Sequence, residues 1–198
     1  VLFRSPTVGP KLFTAFFESA LAEVPSIEIK MHSLGASEDT SEVLWGKYHA
    51  CILPRETRPD RKLDVRPLFR ERFVLGCSAK HPLAASDIVR GEDLLEFPFV
   101  DRLKCEFREQ ILDHFARREV LMRPRFRSDR DDWVQRVVAE GEAICILPER
   151  SATAQGLVTR PIDGFVLERE VVIATVSGST APVEIRKIAQ LAARYAWN

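Results

Sequence analysis

The sequence lacks the motifs that mark the common classes of enzyme. It has no GxSxG nucleophile elbow, no P-loop, no GxGxxG after a predicted strand and no HExxH. Its histidines are scattered singly, without a carboxylate or thiol partner at a spacing that implies catalysis; they are His32, His49, His81 and His114. These absences argue against an enzyme, and we predict neither a cofactor nor a metal site.

An excess of charge is also absent. Lys and Arg together number 29, as do Asp and Glu, so the formal net charge is zero. A balanced chain has no bulk attraction for phosphates, which argues against nucleic-acid binding by this segment alone. No apolar run approaches the roughly 20 residues that cross a bilayer, and no secretion signal opens the chain. We therefore expect a cytoplasmic protein without membrane contacts.

The chain opens with VLFRS and has no initiating Met, from which we expect a fragment of a longer protein whose first strand is either clipped or altered. Cysteine is scarce, and the four cysteines form no CxxC pair and have no neighbouring histidine; they are Cys51, Cys77, Cys105 and Cys145. This spacing argues against a zinc site and against a disulfide framework. Three of the four lie inside apolar runs and are expected to be buried.

Cys105 lies in a different environment. It is predicted to start a helix, and Arg102, Lys104 and Arg108 surround it. A helix start and neighbouring cations both favour the thiolate, which is the reactive form of cysteine. Two interpretations follow: Cys105 is either an inert thiol that lines or underlies a cleft, or a redox-active one.

Strand and helix signals alternate along the whole chain, which is typical of an α/β fold with a mainly parallel, doubly wound sheet. Two segments, 71–84 (ERFVLGCSAKHPLA) and 167–176 (LEREVVIATV), are predicted to contain strands that cross between two lobes. Two crossings divide the chain into a discontinuous lobe of residues 1–76 and 168–198 and a second lobe of residues 77–167. Such a division predicts a cleft between the lobes, where small ligands commonly bind.

Three predicted helix starts follow strands, at residues 7–10, 102–105 and 128–131. Unpaired N–H groups and the positive end of the helix dipole make such places suitable for anions. Thr7 is interpreted either as a helix cap alone or as a cap whose hydroxyl also holds a ligand carboxylate.

The third start contains acidic side chains. Asp129 and Asp132 resemble a capping pair for the helix that follows, in which Trp133 is predicted to be a core residue. Because the carboxylate of Asp129 would repel an anion, Arg130 or backbone amides would have to hold an acidic ligand.

Four motifs occur in a characteristic order: Lys80-His81-Pro82-Leu83-Ala84 after an apolar strand, EDLLEFPFV, DDWVQRVVAEGEAICILPE, and GLVTRPI. Together they resemble the C-terminal effector-binding domain of LysR-type bacterial transcription regulators, over essentially the whole chain. The resemblance implies the type 2 periplasmic-binding-protein fold, with two Rossmann-like lobes joined by two crossing strands.

The resemblance further implies a sensor domain that binds a small-molecule inducer, expected to be anionic, in the cleft between the lobes, and that transmits closure to the rest of the regulator. The residues that it assigns to the ligand are Thr7, Val8, Gly9, Arg102, Cys105, Ser128, Asp129 and Arg130. It implies a homodimer or homotetramer, and it implies DNA binding only through an N-terminal helix-turn-helix outside this sequence.

Two alternatives stay open at this point. Residues 105–110 (CEFREQ) resemble the sequence after the reactive cysteine of peroxide-sensing members, with one residue more before the arginine and with His114 or Phe115 near the place of the resolving cysteine. A thiol-based redox sensor is therefore the first alternative. The second is a solute-binding protein of a transport system, which would share the fold.

Overall fold

The computed structural model describes residues 2–33, 40–55, 60–178 and 181–197. The chain divides into two compact units. The first unit contains the residues up to Glu71 and those from Arg169 onward, and the second unit is Arg72–Glu168. The junctions predicted from the sequence lie after residues 76 and 167.

The strands are β1 (Leu2–Arg4), β2 (Met31–Ser33), β3 (Ala50–Pro54), β4 (Leu63–Ser78), β5 (Phe99–Arg102), β6 (Pro124–Ser128), β7 (Cys145–Pro148), β8 (Leu157–Arg160) and β9 (Glu168–Val176). The α-helices are α1 (Phe13–Glu23), α2 (Ser41–Leu44), α3 (Arg108–Ala116), α4 (Asp131–Glu140) and α5 (Val183–Arg194). Short 3₁₀ turns lie at Pro82–Ala85, Glu92–Glu96 and Glu149–Ser151. Strand β4 starts in the first unit and ends in the second.

The sheet of the first unit contains both parallel and antiparallel pairs. Strand β1 pairs in parallel with β2 and with β3, so that Leu2 lies opposite Met31 and Ala50. Strand β9 pairs with β3 in the antiparallel sense, with Ile173 opposite Ile52. The expectation of a mainly parallel sheet is therefore wrong for β9. This strand follows a turn instead of a helical crossover, and only a crossover would impose the parallel sense.

The core of the first unit contains the apolar face of α1 and the end of the chain. Phe13 and Phe16 of α1 have ring centroids 4.9 and 5.0 Å from that of Trp197. Val171 and Ile173 of β9 lie in the same cluster of buried side chains. A segment from the end of the sequence thus completes a core that the first residues begin.

The second unit has its own strands and its own core. The last part of β4 pairs antiparallel with β7 and β8, while β5 and β6 form a separate parallel pair. The residues of its main cluster of buried side chains are spread along the sequence from Phe73 to Phe165. Trp133 on α4 is 56% exposed, which contradicts its predicted place in the core, because the buried face of the helix carries Val134 and Val138 instead.

Candidate functional site

The predicted site residues of the first unit form a tight turn directly after β1. We call this segment, residues 5–9, the Thr7 turn. Within it the Val8 amide donates to the Ser5 carbonyl at 3.1 Å, and the Thr7 amide donates to Ser5 Oγ at 3.3 Å. Arg4 Nη1 donates to the Val8 carbonyl at 2.8 Å, which ties the turn to the end of the strand. The Val8 side chain is buried in the core of the first unit.

Thr7 is not a helix cap. Helix α1 starts at Phe13, its N-cap is Leu12, and no side chain caps it. The chain needs several residues to leave the turn, and Phe13 N is the first amide to donate to the Pro10 carbonyl, at 2.9 Å. Both interpretations of Thr7 include a helix cap, and that part of each is therefore wrong, whereas ligand binding by its hydroxyl stays a prediction.

Thr7 is held by a buried arginine from the far end of the sequence. Arg169 Nη1 donates to Thr7 Oγ1 at 2.7 Å, and Arg169 Nη2 donates to the Thr7 carbonyl at 2.9 Å. Ser5 Oγ lies 3.1 Å from Thr7 Oγ1, and Ser5 and Thr7 are only 1% and 2% exposed. The hydroxyl of Thr7 thus accepts from a guanidinium and lies within hydrogen-bonding distance of a second hydroxyl.

The predicted site residues of the second unit lie on two turns that follow adjacent strands. Arg102 and Ser128 are opposite each other in the parallel pair of β5 and β6, and the Leu103 amide donates to the Ser128 carbonyl at 2.9 Å. Lys104 Nζ lies 3.6 Å from a carboxylate oxygen of Asp129. The paired turns, residues 102–105 and 128–130, therefore meet at one edge of this small sheet and bring their five predicted residues together.

The helix starts in this unit differ from the prediction. Helix α3 starts at Arg108 and has Phe107 as its N-cap, so Cys105 precedes the helix. Two successive four-residue turns occupy the place of the predicted first helical turn, closed by hydrogen bonds from Cys105 N to the Arg102 carbonyl and from Arg108 N to the Cys105 carbonyl. Arg130 is the N-cap of α4, and no side chain caps that helix, so the capping pair predicted at Asp129 is wrong.

Arg102 is the most buried cation of the paired turns, with a side chain only 4% exposed. Its Nε donates to Asp131 Oδ1 at 2.5 Å and its Nη1 donates to the Ile146 carbonyl at 3.4 Å. Burial opposes the charged form most strongly, but the charge of Asp131 and its hydrogen bond, together with the nearby Cys105 and Cys145, outweigh it and raise the pKa of Arg102. The guanidinium is therefore permanently charged.

One N–H group of this guanidinium has no acceptor. Among the described residues, Arg102 Nη2 is the buried side-chain nitrogen or oxygen atom for which no hydrogen-bond partner is found. Arg102 lines a small cavity of about 10 Å³ together with Asp101, Cys105, Arg108 and apolar side chains. A volume of this size accommodates a single water-sized group. The orphan N–H thus marks a place where an acceptor atom would be stabilised.

The cations in and next to the paired turns are already neutralised. Arg108 donates to both carboxylate oxygens of Asp101 at 2.8 and 2.6 Å, and this bonding raises the pKa of Arg108. Arg130 binds Asp132 with a closest N···O distance of 2.7 Å. A ligand carboxylate would therefore meet few cations whose charge is not already shared with a carboxylate.

Cys105 is 8% exposed and packs in the core of the second unit. The cavity that it lines contains no second cysteine. Within the described residues, none of the four cysteines forms a disulfide, and all four are buried. The geometry therefore does not favour the redox interpretation over the inert one.

Sequence reasoning missed several residues that organise these turns: Glu71, Asp131, Gln135 and Arg169. A signal was available for two of them. Residues two positions apart in a strand point to the same face of the sheet. Glu71 therefore shares a face with the buried Phe73 on β4, and Arg169 shares a face with the buried Val171 on β9, so both charges occupy inward positions. A charge at an inward strand position requires a buried partner.

Two larger cavities contain none of the predicted site residues. One, of about 390 Å³, lies in the first unit beside α1 and is lined by Phe13, Phe17 and Met31, among others. The other, of about 550 Å³, lies in the second unit beside the edge strand β6. The described part of the chain contains no group of three potential metal ligands, and none of its helices could span a membrane.

Comparison with known proteins gives a consistent result. The family model described as "LysR substrate binding domain" matches residues 2–197. A curated relative from Synechocystis, named "Probable nitrogen assimilation transcriptional activator", is 25% identical over 144 residues. That match covers 70% of this chain and 44% of the relative, so the chain matches less than half of the relative's length.

Solved structures share the fold. The reduced form of the OxyR regulatory domain from Pseudomonas aeruginosa is similar with a TM-score of 0.76 and 22% identity, covering 97% of this chain and 96% of that one. The Synechocystis CcmR regulatory domain in complex with 2-PG is similar with a TM-score of 0.78 and 20% identity, covering 97% and 94%. These likenesses confirm the predicted α/β fold of the type 2 periplasmic-binding-protein kind.

Proposed function

Because the chain belongs to the LysR substrate binding domain family, we propose that it is the effector-binding domain of a LysR-type transcription regulator. It binds a small organic anion and has no catalytic activity of its own. Binding shifts the population of the domain toward a ligand-favoured conformation, because a ligand stabilises whichever state it binds more tightly. The regulator responds to that shift.

The observation that supports an anionic effector is the orphan N–H of Arg102. A buried guanidinium N–H without an acceptor costs free energy, and a carboxylate or phosphoryl oxygen would recover it in a charge-assisted hydrogen bond. Neutral ligands would gain less at this position. The surrounding carboxylates restrict the ligand further, because an anion must approach Arg102 without meeting Asp131, which already occupies Nε.

The Thr7 turn is the second proposed contact. Thr7 Oγ1 accepts from Arg169 and lies 3.1 Å from Ser5 Oγ, and in the proposed complex a ligand oxygen contacts this hydroxyl. A hydroxyl that accepts from a charged donor is polarised and becomes a better donor itself. Val8, Gly9, Cys105, Ser128, Asp129 and Arg130 complete the proposed contact set.

The remaining partners are proposed on the ground of family membership. The domain forms a homodimer or homotetramer and lies in the cytoplasm, where the regulator meets its promoter. DNA is contacted by a helix-turn-helix encoded upstream of this segment. Reading the codons that precede it tests this point, because a solute-binding protein of a transport system would have a secretion signal there instead.

The experiment that tests the effector proposal is a thermal-shift panel of small organic anions that includes 2-PG, citrate and salicylate, followed by calorimetric titration of each anion that raises the melting temperature. A ligand at 100 times its dissociation constant stabilises the domain by about 2.7 kcal/mol. We expect Thr7→Val and Arg102→Lys each to weaken binding by about tenfold, which corresponds to the loss of one good hydrogen bond of about 1.4 kcal/mol. Lys keeps the charge near Asp131 but lacks the guanidinium fork.

Arg125→Gln is the matched control, because Arg125 is an exposed cation on β6 outside the paired turns. Its affinity for the same anion should equal that of the unmodified domain. If Thr7→Val and Arg102→Lys also bind with unchanged affinity, neither turn contacts the effector. If no small anion stabilises the domain, the proposed ligand class is wrong.

A further inference from the structure

The first unit contains a fully buried ion pair at the two places where the chain leaves and rejoins it. Glu71 is the last residue of this unit on β4, and Arg169 is its first residue on β9. Their side chains are 1% and 0% exposed. Arg169 Nε and Nη2 donate to the same oxygen, Glu71 Oε1, at 2.9 and 2.8 Å. The two strands are thus joined by a charged contact in addition to the sheet.

The same guanidinium also makes the two contacts that hold Thr7. The edge of the guanidinium formed by Nε and Nη2 binds Glu71. Nη1 donates to the hydroxyl of Thr7, and Nη2 also donates to the Thr7 carbonyl. Because the guanidinium is planar and rigid, its position relative to Glu71 determines where both Thr7 oxygens lie. Three segments far apart in sequence, namely the turn after β1, β4 and β9, are therefore locked to one group.

Stability alone is a weak reason for this arrangement. Replacing a buried ion pair by apolar side chains of similar volume is often neutral or stabilising, since desolvation offsets the attraction between the charges. Both residues lie at inward strand positions, where the neighbours Phe73 and Val171 are apolar. The pair is better explained by what it orients than by the free energy it adds.

We propose that Arg169 and Glu71 are positioning residues for the Thr7 turn. Arg169 fixes the hydroxyl and the carbonyl of Thr7, and Glu71 fixes Arg169. The geometry of the turn thereby depends on the two strand positions at which the chain passes between the units, and a ligand that binds the turn acts on those positions in return. The effect of a bound ligand on those positions rests on the proposed function, whereas the positioning of the turn by Arg169 and Glu71 does not.

The test uses hydrogen exchange of backbone amides in the whole ligand-free domain. The informative amides are those of Thr7 and Val8, which donate to Ser5 Oγ and to the Ser5 carbonyl. In Arg169→Lys we expect both amides to exchange at least tenfold faster, while amides of β3 and α1 exchange at the original rate. Lysine retains the positive charge beside Glu71 but cannot reach both Thr7 oxygens as a planar fork.

This variant separates positioning from a merely structural role. If the buried charge of Arg169 served only to neutralise Glu71, Lys would rescue the turn and its amides would exchange as before. That result would overturn the proposal. Arg194→Met is the matched control, since it removes an exposed ion pair with Glu23 in the same unit and should leave Thr7 and Val8 unchanged.

A second variant covers the case in which Arg169→Lys fails to fold. Glu71→Leu with Arg169→Met removes both charges together, and should give a folded domain because no unpaired charge is left buried. The Thr7 and Val8 amides should again exchange at least tenfold faster than in the unmodified domain. Exchange at the original rate in this folded double variant would overturn the proposal.

A double-mutant cycle links the positioning residue to the hydroxyl that it holds. The exchange rate of the Val8 amide is measured in Thr7→Val, in Arg169→Lys and in the combined variant. If Arg169 acts through Thr7, the combined variant exchanges no faster than the faster single variant. Multiplicative effects would mean that the two residues act separately, which contradicts the proposal. Failure of the anion panel would contradict the proposed function but would not change any of these exchange results.

Discussion

Single polar side chains hold loops of the second unit in place through hydrogen bonds to the backbone, both nearby and distant in sequence. His81 is the clearest case. Its Nδ1 accepts from the Leu83 amide at 3.1 Å, and its Nε2 lies 3.2 Å from the Glu142 carbonyl. Its ring meets that of Phe97 edge-on at 4.2 Å. The imidazole is thus satisfied as the neutral tautomer that carries its proton on Nε2.

This geometry predicts a dependence of stability on pH. Burial lowers the pKa of His81, although the bond to the Glu142 carbonyl opposes the effect. Because the folded pKa lies below the unfolded value of about 6.5, the unfolded chain binds the proton more readily. The contribution of His81 is therefore complete above that value and is lost as the pH falls below it. We expect the free energy of unfolding by urea to decrease from pH 7 to pH 5.

His81→Gln should show a smaller decrease over the same range. His32→Gln, at an exposed position of β2, is the control and should keep the original slope. Taking the difference between variants matters, because burial also lowers the pKa of His49 and of His114. Equal slopes in His81→Gln and the unmodified domain would show that His81 does not titrate differently in the two states.

At the scale of elements, helix α4 does more than cover β5. Gln135 on its buried face reaches the segment after β7: its Nε2 donates to the Ser151 carbonyl at 2.9 Å, and its Oε1 accepts from the amides of Thr153 and Ala154 at 2.8 and 3.2 Å. The same Nε2 also lies 2.9 Å from Asp131 Oδ2, and Asp131 binds Arg102. One amide therefore connects a loop, a helix and the paired turns.

Gln135→Leu keeps a similar volume but removes every one of these bonds. We expect the free energy of unfolding to fall by about 2–3 kcal/mol, because buried backbone groups are left without partners. Arg136→Gln on the exposed face of the same helix is the control, and it should change stability by no more than about 0.5 kcal/mol. Urea denaturation measures both. A Gln135→Leu domain as stable as this control would mean that water replaces the amide without loss.

At the scale of the whole molecule, the two units differ in how the chain builds them. The second is one continuous segment with a large apolar core of its own. The first is discontinuous, and its core takes Val171 and Ile173 from β9 and Ile188 and Trp197 from the last part of the chain. Strand β3 would also keep β1 as a partner but lose β9 if the last part of the chain were removed.

Fragments of the chain should therefore behave differently. Residues 72–168, expressed alone, should fold with a cooperative urea transition, because all strands and buried side chains of that core are present. Residues 1–71 should not, because they lack β9 and α5. Circular dichroism and urea titration of the two fragments check this. An unfolded 72–168 fragment, or a folded 1–71 fragment, would contradict the assignment of separate cores.

The sequence by itself determined the α/β class, the order of most elements and the family. Apolar periodicity and turn residues act over a few neighbours, so β3, β7 and α4 could be recognised from local pattern, and the four motifs from 80 to 162 identified the LysR domain. It also placed Arg102 and Ser128 at or directly after the ends of strands, and the structure adds that these strands, β5 and β6, are paired.

Only the tertiary structure decided which side chains hold the turns. Helix starts were misplaced near Thr7 and Cys105 because turn geometry there depends on contacts with distant residues, not on capping residues nearby. The contacts of Thr7 with Arg169 and of Arg102 with Asp131 follow from strand register and burial, which bring residues 162 and 29 positions apart within hydrogen-bonding distance. Pairing over such separations depends on how the whole core packs, and no local pattern encodes it.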